Sequence, residues 1–340
     1  YLSECAANTV KRQARDLEQF AEYLLDVGIP LDNGADFQTN PDAWQGVTWG
    51  LVEGFIQWLL HEGYAVNTVN ARLSTVRTYA QMAVKAGAIP RAEGMLIQSV
   101  QSLSRQGGLN VDARRAQTRK RQVTYDYKPD GRKRRVVVTR RSTKKRRPTP
   151  LTPAQAETLM RARNASPQAA RDALLMCLLL EHGLRASEAA LLKRENVDLA
   201  QGLLRFFRPK VKGTAHEWAT HKLTPAARAA LDAYLPLYPP TLPADAPLLL
   251  TTTRLRKDGS GGRLRRGGLS RIRLSERVAW LGKQAGIPKL SAHDCRHHAA
   301  TRMARLGYGV DELMDWFGWS SAQTAMRYVA SVEVKARDRG

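Results

Sequence analysis

The sequence predicts a mainly α-helical chain in two parts: a helical bundle over residues 1–100 and a mostly helical domain with one small antiparallel sheet over 151–340. A strongly basic segment, 101–150, joins them. Three observations carry this. Apolar residues recur at helical spacing through much of the first hundred positions. β-prone residues are confined to short stretches beside turn-forming sequence. Charge is spread very unevenly along the chain. With 340 residues and roughly 150 per domain, each part is long enough to bury a core.

The charge pattern narrows the partner. Against 54 Lys plus Arg stand 31 Asp plus Glu, a net charge of +23, which is the footprint of a polyanion binder and makes a nucleic acid the leading partner. The total does not choose between DNA and RNA. Residues 1–100 are net −4, 101–150 net +14 and 151–340 net +13. A basic block of this density lies against phosphates and releases counterions, so affinity should depend on salt. Arg134, Arg135, Lys144 and Lys145 in the block, and Arg265 further on, are the phosphate-facing candidates. Cys5, Cys177 and Cys295 are odd in number and widely spaced, which argues against a disulfide framework or zinc ribbon and fits a reducing cytoplasm. The longest apolar run, Ala173 to Leu180, is eight residues, well short of the roughly 18 that suggest a membrane span, and it reads as a buried helix.

In chain order, Val10, Ala14, Leu17, Ala21 and Leu24 mark one helix and Val52, Phe55, Ile56 and Leu59 a second, while Asn67 to Gly87 forms a long third. Arg72 and Arg77 stand in that third helix among neutral residues, making it the candidate to face DNA; the alternative is two solvated arginines. Val123 to Tyr127 and Arg135 to Thr139 flank Lys128-Pro129-Asp130-Gly131, a turn sequence, so a basic hairpin is expected. Thr152-Pro153-Ala154-Gln155 and Ser320-Ser321-Ala322-Gln323 are capping-box patterns that start helices. Between Leu203 and Leu223, around Val211-Lys212-Gly213, a hairpin or three-stranded sheet is expected, then a helix after Thr224-Pro225. Arg254 to Gly268 reads as a mobile basic loop.

Chemistry concentrates in the second part. Gly183-Leu184-Arg185-Ala186-Ser187-Glu188 follows the apolar helix; at a spacing of three, Glu188 can orient the Arg185 guanidinium, although a surface ion pair has the same spelling. In His293-Asp294-Cys295-Arg296-His297-His298, His293 and Arg296 can converge on one target. His293 and His297 have the spacing of a zinc helix, but the glutamate of that motif is missing and Arg296 would set a cation beside the metal. Phe317-Gly318-Trp319 turns into a final helix that carries Tyr328, and Lys212 sits in the hairpin turn with Lys210 as its alternative.

Together, Arg185, Glu188, Lys212, His293, Arg296, Trp319 and Tyr328 resemble, in order and local spelling, the catalytic signature of the tyrosine recombinases, the phage-integrase and Xer-like superfamily. The first hundred residues resemble that family's helical, SAM-like core-binding domain more weakly. Trp319 occupies a position more often histidine, His298 stands where a small or aromatic residue is common, and the 101–150 block is longer and more basic than a typical linker. The resemblance implies a tyrosine recombinase fold and a site-specific recombinase, integrase-like, working on double-stranded DNA recombination sites without metal or other cofactor. It further implies a homotetramer on two sites, a Holliday junction and, in some relatives, accessory DNA-bending proteins.

These residue types suit the reaction. Attack of a phenol on a phosphodiester builds negative charge on two oxygens, which the guanidiniums of Arg185 and Arg296 can meet with planar, bidentate hydrogen bonds. A tyrosine with pKa near 10 needs local cations and a base, for which His293 is the expected residue. Trp319 can donate its indole N–H to the phosphate, and Lys212 can protonate the departing 5′ oxygen. The 3′-phosphotyrosyl product conserves bond energy, so rejoining needs no ATP. Two rivals remain at this stage: a type IB topoisomerase-like enzyme that nicks and reseals one duplex, and a non-catalytic DNA-binding protein of the same fold.

Overall fold

The computed structural model describes residues 1–31, 36–104, 106–111, 122–127, 133–138, 148–209, 211, 217–253 and 262–337. Side chains are described in these stretches except in the two strands between 122 and 138 and beyond residue 330. The chain divides into two compact units, Tyr1–Arg146 and Arg147–Gly340.

The first unit is a bundle of α1 (Ala7–Asp26), α2 (Trp49–His61), α3 (Val66–Lys85) and α4 (Arg91–Ser99). Its core is aromatic: Phe20 and Trp44 stack, Phe55 and Phe37 meet Phe20 edge-on, and the buried Trp44 indole donates to Phe37 O at 3.0 Å. Val52, Phe55, Ile56 and Leu59 are all buried, at the expected helical spacing. The unit runs past residue 100, because Val100 is buried in this core and Leu103 packs on it. Further on, β1 (Gln122–Tyr127) pairs antiparallel with β2 (Lys133–Val138), Tyr127 opposite Lys133, in the expected hairpin; the turn between them lies outside the described residues.

The buried face of α1 is rotated from the one the apolar residues mark, because it includes Gln13 and Asp16. Asp16 is tolerated there by its partners: Arg12, the Thr75 hydroxyl at 2.8 Å and Arg72 at 3.6 Å. Arg72, expected to face DNA, is thereby engaged within the bundle; its side chain is 13% exposed and its guanidinium lies 3.9 Å over the Tyr64 ring. Arg77, on the same helix, is half-buried.

In the second unit, α5 (Pro153–Met160) starts at the expected capping box, the Thr152 hydroxyl accepting from Gln155 N while Gln155 Oε1 accepts from Thr152 N. Next, α6 (Pro167–Leu180) is apolar on nearly every side and buried from Ala169 onward, as a helix through the middle of a core must be. Its two charged members are Arg171 and Asp172, and the Asp172 carboxylate accepts from Arg171 and Arg277. After α7 (Ala186–Leu191), β3 (Val197–Asp198), β4 (Leu203–Phe207) and β5 (Trp218–Lys222) form an antiparallel sheet in sequential order. Then α8 (Pro225–Tyr234) follows the Thr224 cap.

One expectation changes here. Arg254 to Gly268 is not loop throughout: β7 (Leu264–Gly268) pairs antiparallel with β6 (Leu250–Thr252), across a bulge. Gly268 serves close packing, since a Cβ there would lie 2.7 Å from Pro247 Cβ. Residues 254–261 lie outside the described residues.

The last helices are α9 (Arg271–Gln284), α10 (Ala292–Arg305), α11 (Val310–Phe317) and α12 (Ala322–Arg337). Residues from α10, α11 and α12, among them Ala299, Met303, Leu313, Phe317 and Ala325, bury a small second core on which Trp319 and Tyr328 pack. Among the described residues no helix is long and apolar enough to cross a membrane.

Replacing Asp16 by Ala leaves Arg72, Arg12 and Thr75 without their shared acceptor. The expected cost is about 1–3 kcal/mol, read from the urea unfolding midpoint of the full chain.

Candidate active site

Arg185 and Glu188 open α7. Arg185 occupies the extended N-cap position, and its backbone N–H and guanidinium Nη1 both donate to the Glu188 carboxylate, at 2.7 and 2.6 Å. The expected pairing is present, but the carboxylate reaches back around the helix start rather than along a helical face. The Glu188 side chain is 0% exposed, and its other neighbour is Arg296 on α10, whose Nη1 lies 3.7 Å from Oε2. One buried carboxylate therefore serves two guanidiniums from distant parts of the chain.

Arg296 is fixed on several sides. Its Nη1 donates to Gly183 O at 2.8 Å, its Nη2 donates to Phe317 O, and the guanidinium lies 4.9 Å from the Phe317 ring centre. Burial, reinforced by the charges of Arg185 and Arg208, pulls its pKa down to about 9, so it is still a cation at neutral pH.

Arg208, just past β4, is a residue the sequence offered no reason to single out. It is 2% exposed, and it donates to Asp315 O at 3.0 Å and to Trp316 O. Arg208 and Arg296 thus take up successive carbonyls at the C-terminal end of α11, where cations are favoured. The chain then turns at Gly318, with φ +58°, and a Cβ there would lie 2.8 Å from Arg208 Nη1, so glycine is required on both counts. The rings of His221 and Trp316 stack at 3.8 Å, and the His182 ring lies near-parallel to both, 5.7 Å from His221 and 6.2 Å from Trp316. Burial lowers the pKa of His182 to about 4, helped by Arg302, and drives His221 well below the ordinary histidine value, helped by His182 and Arg208.

Beyond the turn, Phe317, Trp319 and Tyr328 form an aromatic column: Trp319 lies 4.7 Å from Phe317, and Tyr328 lies 5.2 Å from Trp319 at an interplanar angle of 6°. The column fixes the plane of the Tyr328 ring. Burial raises the pKa of the phenol, with Arg296 and Arg327 opposing the rise. The histidine set against the phenol is His297, whose Nδ1 lies 3.0 Å from the Tyr328 oxygen. His293, one turn earlier on α10, is exposed. In sequence His297 stood out only as half of a possible zinc pair. Its position directly after Arg296, on the helix that α12 packs against, was the available signal.

Arg185, Glu188, Arg296, Trp319 and Tyr328 are thus brought into one neighbourhood. Lys212 and Lys210 lie outside the described residues, as do Lys144 and Lys145. Arg134 and Arg135 fall on β2, opposite Asp126 and Tyr125, and Arg265 is exposed on β7.

A mostly helical unit holding a tyrosine near its C-terminus against paired arginines defines a class, the tyrosine recombinases. Residues 149–334, more than half of the chain, match the phage integrase family, and the chain belongs to that family. By sequence it is similar to a tyrosine recombinase XerC of Roseiflexus sp. (strain RS-1), 23% identical over 327 residues that cover 95% of this chain and 83% of the relative. It is also similar to the type 1 fimbriae regulatory protein FimB of Escherichia coli (strain K12), 28% identical over 182 residues, 53% of this chain and 84% of the relative. Among solved structures, a lambda integrase dimer bound to a COC′ core site aligns with TM-score 0.58 at 14% identity, over 96% of this chain and 89% of that one. The Tn1549 transposon integrase in complex with a circular intermediate DNA aligns with TM-score 0.57 at 15% identity, over 94% and 99%. The fold is that of the integrase catalytic domains, and the enzyme class is tyrosine site-specific recombinase.

Two outcomes follow from this geometry. Glu188→Gln removes the buried counter-charge of Arg185 and Arg296, and about 3–5 kcal/mol of stability should be lost, read by urea unfolding at neutral pH. The second concerns acid. The folded pKa of His182 lies below the unfolded one, so the native state binds fewer protons and stability falls as pH drops from about 6.5 towards 4. His182→Phe, which keeps the ring stack, should flatten the unfolding free energy from urea titrations against pH in that window by up to about 1.4 kcal/mol per pH unit.

Proposed function

We propose that this chain cuts and rejoins double-stranded DNA at specific sites through a 3′-phosphotyrosyl bond to Tyr328, exchanging strands by way of a Holliday junction. The observation that carries the proposal is the convergence of Tyr328, stacked on Trp319, with Arg296 and Arg185 around the buried Glu188. A phenol attacking a phosphodiester needs its ring held, its proton removed and the new charge on the phosphate met by fixed donors. Arg296 keeps three N–H groups beyond those given to Gly183 and Phe317, and Arg185, 22% exposed, can present its outer edge to the same phosphate.

In the proposed cycle the phenol oxygen of Tyr328 bonds to phosphorus and the 5′ oxygen departs, taking a proton from Lys212, with Lys210 as the alternative donor. His293 is the expected acceptor of the phenolic proton, and the Trp319 indole is assigned to the phosphate. The reverse reaction, with a 5′ hydroxyl from another strand, restores a phosphodiester at almost no net cost in bond energy. Cutting four strands in turn calls for four copies of Tyr328, hence a homotetramer on two sites. That the fold's solved neighbours include integrases captured on DNA supports double-stranded DNA as the partner. Arg77, Arg134, Arg135, Lys144, Lys145 and Arg265 are the proposed backbone contacts, each adding to the salt dependence of binding.

The test is incubation with a nicked suicide DNA, or supercoiled plasmid, followed by denaturing electrophoresis. Wild type should form a covalent adduct, Tyr328→Phe none, and Arg185→Ala an adduct at a rate about 10²- to 10³-fold lower, with DNA binding retained in all three. An adduct that survives in Tyr328→Phe would overturn the assignment of the nucleophile. A DNA bound specifically by wild type without any adduct would reduce the protein to a binding module.

A further inference from the structure

Proton removal from Tyr328 is the step for which the structure offers a specific group other than the expected one. His297 Nδ1 lies 3.0 Å from the phenol oxygen, within the 2.6–3.2 Å reach of a general base, and the two rings are 5.0 Å apart. Both residues are partly buried, and the Trp319 stack leaves the Tyr328 ring little freedom to swing away. We infer that His297 is a catalytic residue, the acceptor that takes the phenolic proton of Tyr328 during strand cleavage and returns it during rejoining. This rests on the recombinase reading above.

The balance is as follows. As the Tyr328 oxygen forms its bond to phosphorus, its proton passes to Nδ1 and His297 becomes an imidazolium. The bond from phosphorus to the 5′ oxygen breaks, and that oxygen takes one proton from the lysine donor. On rejoining, a 5′ hydroxyl attacks, its proton goes back to the lysine, and the departing Tyr328 oxygen recovers its proton from His297. The proton count therefore closes over one full cycle of cleavage and rejoining.

The electrostatics agree with this direction of transfer. Burial holds the phenol protonated at neutral pH, while burial and the neighbouring His293 keep His297 below the ordinary histidine pKa and therefore uncharged. On its own helix His297 has His293, Asp294 and Arg296 as titratable or charged neighbours, Asp294 opposing its loss of basicity. From α12 it meets Tyr328, with Arg327 beside it; Glu181, at the end of α6, is paired with Arg302 at 3.5 Å, and Asp315 on α11 is held through its backbone by Arg208. With the phenol donating, Nδ1 accepts and Nε2 carries the ring proton, the tautomer that this transfer requires.

The experiment is single-turnover adduct formation on a nicked suicide DNA between pH 5.5 and 9, with wild type, His297→Asn, His293→Asn and Tyr328→Phe. Asparagine places an amide oxygen near the position of Nδ1, so it keeps an acceptor that cannot carry a proton away. Wild type should show a rate that levels off below neutrality, once His297 is deprotonated. His297→Asn should bind DNA like wild type but form adduct about 10²- to 10⁴-fold more slowly at pH 7, its rate still climbing about tenfold per pH unit. His293→Asn should keep the wild-type levelling. His297→Gln is read in the same way and guards against a variant that does not fold.

The inference is overturned if His297→Asn retains the wild-type rate or levels off at the wild-type pH. It is also overturned if the lost rate is restored by a 5′-bridging phosphorothiolate, whose sulfur leaves without a proton, for then His297 would act on the leaving group. These outcomes are distinct from failure of the recombinase reading, which would appear as an adduct in Tyr328→Phe or no adduct in wild type.

Discussion

Two guanidiniums cannot share a pocket of low dielectric unless a counter-charge is buried with them, and in the second unit that counter-charge is Glu188. Its carboxylate closes the first turn of α7, aligns Arg185 and faces Arg296 from the opposite side. With this charge in place, Arg296 can spend other donors on Gly183 and Phe317, tying α10 to the start of α7 and to the end of α11. The cation proposed to meet a phosphate is also a strut of the fold. A site built this way is rigid before any substrate arrives, which is the condition for charge stabilisation without reorganisation.

The same economy governs the approach to the nucleophile. A helix that ends in a buried region leaves carbonyl groups without partners, and at the end of α11 two cations supply them: Arg208 from the end of β4 and Arg296 from α10. Gly318 then reverses the chain in a conformation and a space open to glycine alone. Phe317, Trp319 and Tyr328 continue as a column on the small core of α10, α11 and α12. The path from a strand to the Tyr328 phenol therefore runs through contacts that each satisfy a structural need. Changes at Arg208 or Gly318, which touch no substrate in the proposed reaction, act on the phenol's position.

Local periodicity and capping chemistry carried much of the architecture. The Val52 to Leu59 stripe, the Thr152 capping box and the apolar run that became α6 all depend on residues within a few positions of each other, and short-range rules describe them well. Arg254 to Gly268 misled because Arg and Gly mark loops on average, whereas here Gly268 admits Pro247 and the strand is defined by its partner 12 to 18 residues away. The polar residues on the buried face of α1 could not be anticipated either, since Asp16 is stabilised by Arg72 and Thr75 on another helix.

What the sequence determined by itself was the helical class, the placement of basic charge and the chemical identity of the site: Arg185, Glu188, Arg296, Trp319 and Tyr328 are recognisable by order and spelling. Only the tertiary structure decided how they meet. Glu188 pairs across 108 residues with Arg296, a lone Arg208 becomes a buried cap, and His297 rather than His293 stands against the phenol. The physical reason is common to all three. A charge or ring far along the chain changes the burial, protonation and hydrogen bonding of a residue as strongly as its sequence neighbours do, and no local pattern encodes which distant group will arrive.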